Sequence, residues 1–256
     1  MKKLIVNADD FGYSDSVNKG IIDTHVNGIV TSTTMLVGLQ GFNSAVKLAK
    51  KHKKLDIGIH LNLTEGKLAN SLFDFLKKRF SRQEIEDELE NQINTLEDTG
   101  LKLTHIDGHQ HIHVFPKIFK IIVKLAKEHE IDYVRLPHEK LALNRVMFSS
   151  IFNGQFAKKI ILSSLSINKR SLLTKNGLKT TDHFYGILSG KNLTYTKMAK
   201  VLKNVPEGIT ELVCHPGNEN YSDYLDRVKE RNILMHHNIK SLIKSLDIEL
   251  TDFKSL

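Results

Sequence analysis

The sequence predicts an α/β chain, a single (β/α) barrel-like domain that is incomplete or distorted and carries about seven strands. Three observations lead there. Short apolar or β-branched runs alternate with helix-period segments almost from end to end. Repeated βα units of this kind imply a parallel sheet joined by right-handed crossovers. Four of the strand-like runs end in Asp or His, the placement expected where loops converge at the carboxyl ends of parallel strands. A doubly wound open sheet is the alternative. No Gly-x-Gly-x-x-Gly or P-loop pattern follows Val6, which argues against dinucleotide or nucleoside triphosphate binding.

The strand runs are Leu4–Val6, Thr31–Val37, Ile57–Leu63, Thr104–Ile106, Tyr133–Leu136, His183–Leu188 and Thr210–Cys214. Each is a short β-branched or apolar stretch bounded by polar or turn-forming residues. Between them the 3.6-residue period predicts helices over Ser16–Asn27, Phe42–His52, Arg82–Thr99, Lys117–Glu130, Tyr195–Asn204 and a long last one over Tyr221–Leu246. Two basic helical pieces fall within Leu141–Leu165. The Arg82 helix opens on Ser81-Arg-Gln-Glu84, a capping box in which Ser81 and Glu84 satisfy each other's backbone donors. No internal repeat, linker or low-complexity tract appears, so residues 1–256 read as one domain.

The 256 residues, 40% hydrophobic and 26% charged, suit a globular domain with an ample core. No apolar run approaches the roughly 18 to 20 residues of a membrane span. The start MKKLIVNADD breaks into charge after three apolar residues, so it reads as a strand and not as a signal peptide. The single cysteine, Cys214, excludes an internal disulfide or a multi-cysteine metal site and fits a reducing cytoplasm. The net charge of +8 is concentrated: Glu139–Lys179 holds eight basic residues and one acid, and reads as an insertion over one face. No helix-turn-helix, RNP or zinc-finger pattern accompanies it and there is no tryptophan, so a solvated or substrate-facing surface is expected ahead of nucleic acid.

The chemistry gathers in four stretches. NADDFG places Asp9 and Asp10 at the end of a buried run, where two adjacent carboxylates are costly to desolvate without a compensating cation. Taken alone, the pair equally caps a helix or sits in a solvated turn. DIGIHLNLTE holds His60, which alone reads as a core imidazole satisfied by a carbonyl. THIDGHQHIHVFP holds His105, Asp107, His109, His111 and His113; in extended chain the last three share a face with Asp107. Such a face has little packing rationale, and metal binding or proton transfer explains it better. ELVCHPG places His215 after the last buried run. Among thirteen histidines, His25 and His52 read as plain surface residues. Two imidazoles and a carboxylate describe a hydrolytic divalent-metal site. A further carboxylate serves as proton acceptor and another histidine as donor. No Gly-x-Ser-x-Gly elbow or His-Glu-x-x-His motif points to a serine hydrolase or zincin.

NADDFG, GIHLNLT, HIDGHQHIHVFP, the RLP after Val134 and CHPG, in this order, resemble the YdjC-like carbohydrate deacetylases, which include chitooligosaccharide deacetylase. The resemblance runs from Lys3 to about Arg231. It implies a barrel-like fold related to the polysaccharide deacetylases, removal of N-acetyl groups from sugars such as N-acetylglucosamine oligomers, a bound divalent metal and a homodimer. Position by position it implies that Asp10, His60 and His109 are metal ligands, Asp9 the general base and His215 the general acid. Arg135 then orients the base or binds substrate, and His111 and His113 hold His109 or line the pocket. It implies magnesium, whereas two imidazoles suit zinc or another transition metal. The rival readings are hydrolysis of another amide or a phosphoester, and a non-catalytic sugar-binding protein. Asp182 and His183 are weaker candidates for the pocket, and Arg227 and Glu230 are expected to support the fold.

Overall fold

β1 (Lys2–Phe11) is the hub of the sheet. The computed structural model describes residues 1–65, 68–69, 71–78, 80–139, 162–186, 193–220 and 226–256. Most of the basic stretch expected as an insertion, including most of the Leu141–Leu165 pieces, lies outside the described residues. The other strands are β2 (Ser32–Met35), β3 (Asp56–Leu61), β4 (His105–Gly108), β5 (Tyr133–Val134), β6 (His183–Tyr185), β7 (Gly208–Cys214) and β8 (Ile248–Thr251). Every pairing is parallel, in the order β5-β4-β3-β2-β1-β7-β6. β8, which the sequence reading did not anticipate, pairs with Lys2–Ile5 of β1, ahead of Asn7 where β2 begins.

The sheet curls until its two edges share one stretch of chain. Lys179 bridges to Tyr133 of β5: its N–H donates to Asp132 O at 2.8 Å, and its carbonyl accepts from Val134 N–H at 2.9 Å. A few residues later the same segment becomes β6 and pairs with β7. Among the described residues this one bridge spans the seam, so the barrel is incompletely closed, as expected.

Helices cover the outside: α1 (Asp15–Asn27), α2 (Phe42–Lys51), α3 (Leu72–Lys77), α4 (Arg82–Glu97), α5 (Pro116–Glu128), α6 (Lys169–Lys175), α7 (Tyr195–Lys203), α8 (Arg227–Met235) and α9 (His237–Ser245). The Ser81–Glu84 capping box forms as predicted, with Ser81 Oγ 3.1 Å from Glu84 N and Glu84 Oε2 2.8 Å from Ser81 N. Such a cap is worth about 1 kcal/mol. The long last helix is instead two: the chain leaves helical geometry at His236, which caps α9 (φ −66°, ψ 128°).

Strand alternation explains both the core and the site. Leu4, Val6 and Ala8 of β1 join the large apolar cluster under the helices. The alternate residues Ile5, Asn7 and Asp9 face the other way, into the barrel. Ile5 closes its floor with Tyr133 and Phe253. Above the floor the lumen is polar: Asn7, Asp9, Ser32, Thr34, His60, His105, Asp107, Arg135 and Glu211 are all buried. Barrels of this class usually fill that space with branched apolar side chains. Here the polar filling demands a hydrogen-bond or charge partner for each group.

Candidate active site

Asp9 and Asp10 part company because the backbone turns between them. Asp10 has φ 71°, a left-handed conformation uncommon outside glycine, and the β1–β2 register breaks between Ala8 and Phe11. Gly12 follows at φ 98°, where its N–H donates to Asn18 Oδ1 at 2.7 Å. Asp9 therefore continues the lumen face while Asp10 swings onto the rim.

On the rim, Asp10 Oδ1 lies 3.5 Å from His60 Nε2 and 3.3 Å from His109 Nδ1. This oxygen is buried and has no hydrogen-bond partner among the described residues. Three donor atoms this far apart fit a shared cation at bond lengths of about 2.0–2.2 Å better than they fit each other as hydrogen bonds. Asp10, His60 and His109 thus form a cluster able to hold a metal ion.

Each imidazole is aimed by a carboxylate on its far nitrogen, the usual support of a metal-binding histidine. Asp107 Oδ1 sits 2.5 Å from His60 Nδ1, leaving Nε2 for the rim. Glu65 Oε1 sits 3.3 Å from His109 Nε2. Glu65 reaches that position because Asn62 Oδ1 accepts from the backbone N–H of both Thr64 and Glu65 at 3.0 Å, folding the chain after β3. Burial opposes protonation of His109, but the Asp10 and Glu65 carboxylates beside its two nitrogens outweigh it and lift the group to about 10. Burial likewise opposes ionisation of Asp10, and the Arg227 guanidinium, 2.5 Å from Oδ2, more than offsets it and holds the carboxyl well below its usual range.

Beneath the rim a single guanidinium gathers three carboxylates. Arg135, which follows β5, grips Asp9 through Nη1 and Nη2, both at 2.8 Å. Its Nη1 also lies 2.5 Å from Asp107 Oδ2, and its Nε donates to Glu211 Oε1 at 2.7 Å. Asp9, His60 and Asp107 also lie close enough together to hold a cation, but the guanidinium already fills that role. Burial disfavours the Asp9 carboxylate, yet the charges of Arg135 and His60 hold it ionised far below its ordinary value. For Glu211 the balance reverses: burial, with Asp107 and Asp9 nearby, outweighs Arg135 and raises it to about 7.

His215 approaches from the end of β7, half-buried, with its backbone N–H donating to Glu230 Oε2 at 2.6 Å. Its Nδ1 has no hydrogen-bond partner among the described residues. Burial lowers it to about 4, against the pull of the Asp10 and Asp9 charges. Arg227 and Glu230, expected only to support the fold, enter the site from α8 through Asp10 and His215.

The shared face expected for His109, His111 and His113 does not form. β4 ends at Gly108, and Gln110 and His111 adopt φ 54° and 60° in a tight turn, so the three rings diverge. His109 goes to the rim. His113 is fully buried and pairs Nε2 with the Arg135 carbonyl at 3.1 Å, holding the backbone of that arginine. His111 stacks edge-on with His113 and Phe184. Asp182 and His183 stand away from the rim, where Asp182 caps Ile209 N and His183 faces Glu207 O. His25 is tied through Nδ1 to Val30 O at 2.9 Å, and its ring meets His52 edge-on.

The chain is similar to known proteins over nearly its full length. A protein of Brevibacillus brevis named carbohydrate deacetylase is 36% identical, with 99% of each chain covered. A protein of the same name from Clostridium beijerinckii is 32% identical over 99% of this chain and 100% of its own. Among solved structures, an Enterococcus faecalis protein named for cellobiose-phosphate cleavage superposes with a TM-score of 0.77 at 26% identity, covering 99% of this chain and 98% of that one. The lactam utilization protein of Thermus thermophilus shares the fold at a TM-score of 0.55 and 15% identity, covering 97% of this chain and 98% of its own. The family model described as YdjC-like protein matches residues 3–245, and the chain belongs to that family.

Proposed function

We propose that this chain is a carbohydrate deacetylase: a metal-dependent hydrolase that removes N-acetyl groups from N-acetylglucosamine-type mono- or oligosaccharides, releasing acetate and the amino sugar. The observation that carries the reading is the donor cluster of Asp10, His60 and His109, with a buried, ionised Asp9 below it and His215 beside it. Full-length relatives that bear the name carbohydrate deacetylase support it.

Asp10, His60 and His109 would hold one divalent cation, whose charge lowers the pKa of water and polarises a carbonyl. We take magnesium from the family resemblance as the resident ion; the two imidazole donors favour zinc. Arg135 keeps Asp9 ionised and fixes both its oxygens, so the carboxylate is ready to accept the proton of an attacking water. As the water oxygen bonds to the acetamide carbon and the C–N bond breaks, the departing amine needs a proton. The proton that Asp9 takes from the water balances that need, and His215, whose Nδ1 has no hydrogen-bond partner among the described residues, is placed to pass a proton to the amine. Asp107 and Glu65 hold the two imidazoles in register, and His113 and Glu211 hold Arg135. The resemblance and the lone buried Cys214 extend the reading to a homodimer working in the cytoplasm. Among the described residues no helix is long and apolar enough to cross a membrane.

The test is acetate release from N-acetylglucosamine oligomers. EDTA and, separately, Asp9→Asn are expected to abolish it. Acetate release that survives both treatments sinks the mechanism.

A further inference from the structure

A column of polar groups runs up the lumen from the barrel floor to Asp9, and its members leave little freedom in the placement of their protons. Asn7 Nδ2 lies 2.9 Å from Asp9 Oδ1. A carboxylate accepts only, so the Asn7 amide must turn its N–H toward Asp9 and its carbonyl oxygen away. That oxygen meets His105 Nε2 at 3.1 Å, and for the pair to attract, Nε2 must carry hydrogen. His105 is 1% exposed, and burial followed by the Arg135 charge holds it well below its ordinary pKa, so the ring is neutral and Nδ1 is bare. Nδ1 then accepts from the Thr104 hydroxyl at 2.8 Å, closer than the Ile57 carbonyl at 3.3 Å. Thr104 Oγ1 also donates toward Asp56 Oδ1 at 2.9 Å, so its one proton is shared between that carboxyl oxygen and Nδ1. Burial raises the Asp56 carboxyl, and its other oxygen accepts from Phe253 N at 2.8 Å.

The pocket for the His105 ring is purpose-shaped. The ring stacks on Phe253 with centroids 4.0 Å apart and planes 22° apart. On another side it lies against Gly58 of β3, where a Cβ would fall 2.5 Å from Nε2 and from the His105 carbonyl. Only glycine leaves that space.

We infer that Thr104, His105 and Asn7 form a hydrogen-bond chain pointing toward Asp9, in which His105 and Asn7 are positioning residues for that carboxylate. The inference rests on the reading of Asp9 as the proton acceptor of deacetylation. Each donor orients the next acceptor, and the last N–H fixes Asp9 Oδ1 from below while Arg135 holds it from the side. Asn7 also stops the chain short of proton transfer, because an amide does not relay a proton under these conditions.

The deciding experiment is a nitrogen NMR spectrum of the intact protein labelled with 15N-histidine, with His105 assigned by its disappearance in His105→Gln. The chain predicts a neutral Nε2–H tautomer that persists from about pH 5 to 8, where free histidine titrates. An Nδ1–H tautomer or an imidazolium at this position overturns the inference, whether or not the protein proves to be a deacetylase. Kinetics give the second readout. His105→Leu is expected to lower kcat about two- to tenfold and Asn7→Leu about ten- to hundredfold, the worth of a neutral and a charge-assisted hydrogen bond. KM and metal affinity by calorimetry should stay as in wild type. His105→Gln, which keeps an amide donor at that reach, is expected to restore kcat. Wild-type kcat in both leucine variants, or a His105→Gln as slow as His105→Leu, also overturns it.

Discussion

Arg135→Met would remove the one cation that three buried carboxylates share. In the native protein Arg135, Asp9, Asp107 and Glu211 are all within 3% of full burial, and the guanidinium contacts every one of the three. Methionine keeps the volume and the apolar stem but leaves the acids facing each other. Breaking a buried pair in this way costs about 3–5 kcal/mol, and three orphaned partners place Arg135→Met at the upper end. For a chain of this size each kcal/mol moves Tm by about 2–4 °C, so a fall of about 10–20 °C is expected. Circular dichroism melts and urea unfolding of wild type and Arg135→Met measure it directly. The double variant Arg135→Met with Glu211→Gln should recover part of the loss, because it removes one of the repelling acids; a coupling of about 1–3 kcal/mol is expected for groups in one network. A loss below about 1 kcal/mol, or a double variant less stable than additivity predicts, would refute the view that Arg135 neutralises the lumen.

Asp107→Asn should weaken divalent-metal binding about ten- to hundredfold in titration calorimetry, because Asp107 sets which nitrogen of His60 faces the rim. Unchanged affinity would show that the His60 tautomer is set elsewhere. Glu230 is raised to about 7 by burial, against an ordinary value of 4.5. A raised acid favours the folded state at low pH and loses that contribution as pH rises toward 7, so the native protein carries a penalty above that point. Glu230→Gln, whose side-chain carbonyl still accepts from His215 N–H, should therefore gain Tm relative to wild type at pH 8 and little at pH 4. A difference that shrinks with rising pH would contradict this assignment.

What could be read along the chain, and what could not, follows from the range of each interaction. The β/α alternation is local, so seven strands were legible, and β8 was not, since IELT carries two exposed residues and little apolar signal. Asp9 and Asp10 at a strand end, His60, His109 and His215 at others were legible because parallel topology brings such ends together. Their division of labour requires the backbone to turn just before Gly12, since adjacent residues of an extended chain point apart, and Asp10 at φ 71° makes that turn. The histidine run misled because extended spacing was assumed through Gln110 and His111, where the chain turns left-handed. Glu65, Asp107, Glu211, Arg227 and Glu230 contribute to the site through partners 15 to 217 residues away in sequence, a range at which spacing carries no information. Asp107 had a signal of its own, a carboxylate within the short buried strand β4 in the histidine-rich stretch.

Asp10, His60 and His109 are proposed to hold one catalytic divalent ion. The most direct measurement strips the protein with EDTA and titrates metal back while following acetate release from N-acetylglucosamine oligomers. No release is expected from the stripped protein, then a linear rise that breaks at one ion per chain, with His109→Ala showing neither binding nor release. Full release from stripped protein, or a His109→Ala variant that binds and turns over like wild type, would contradict it.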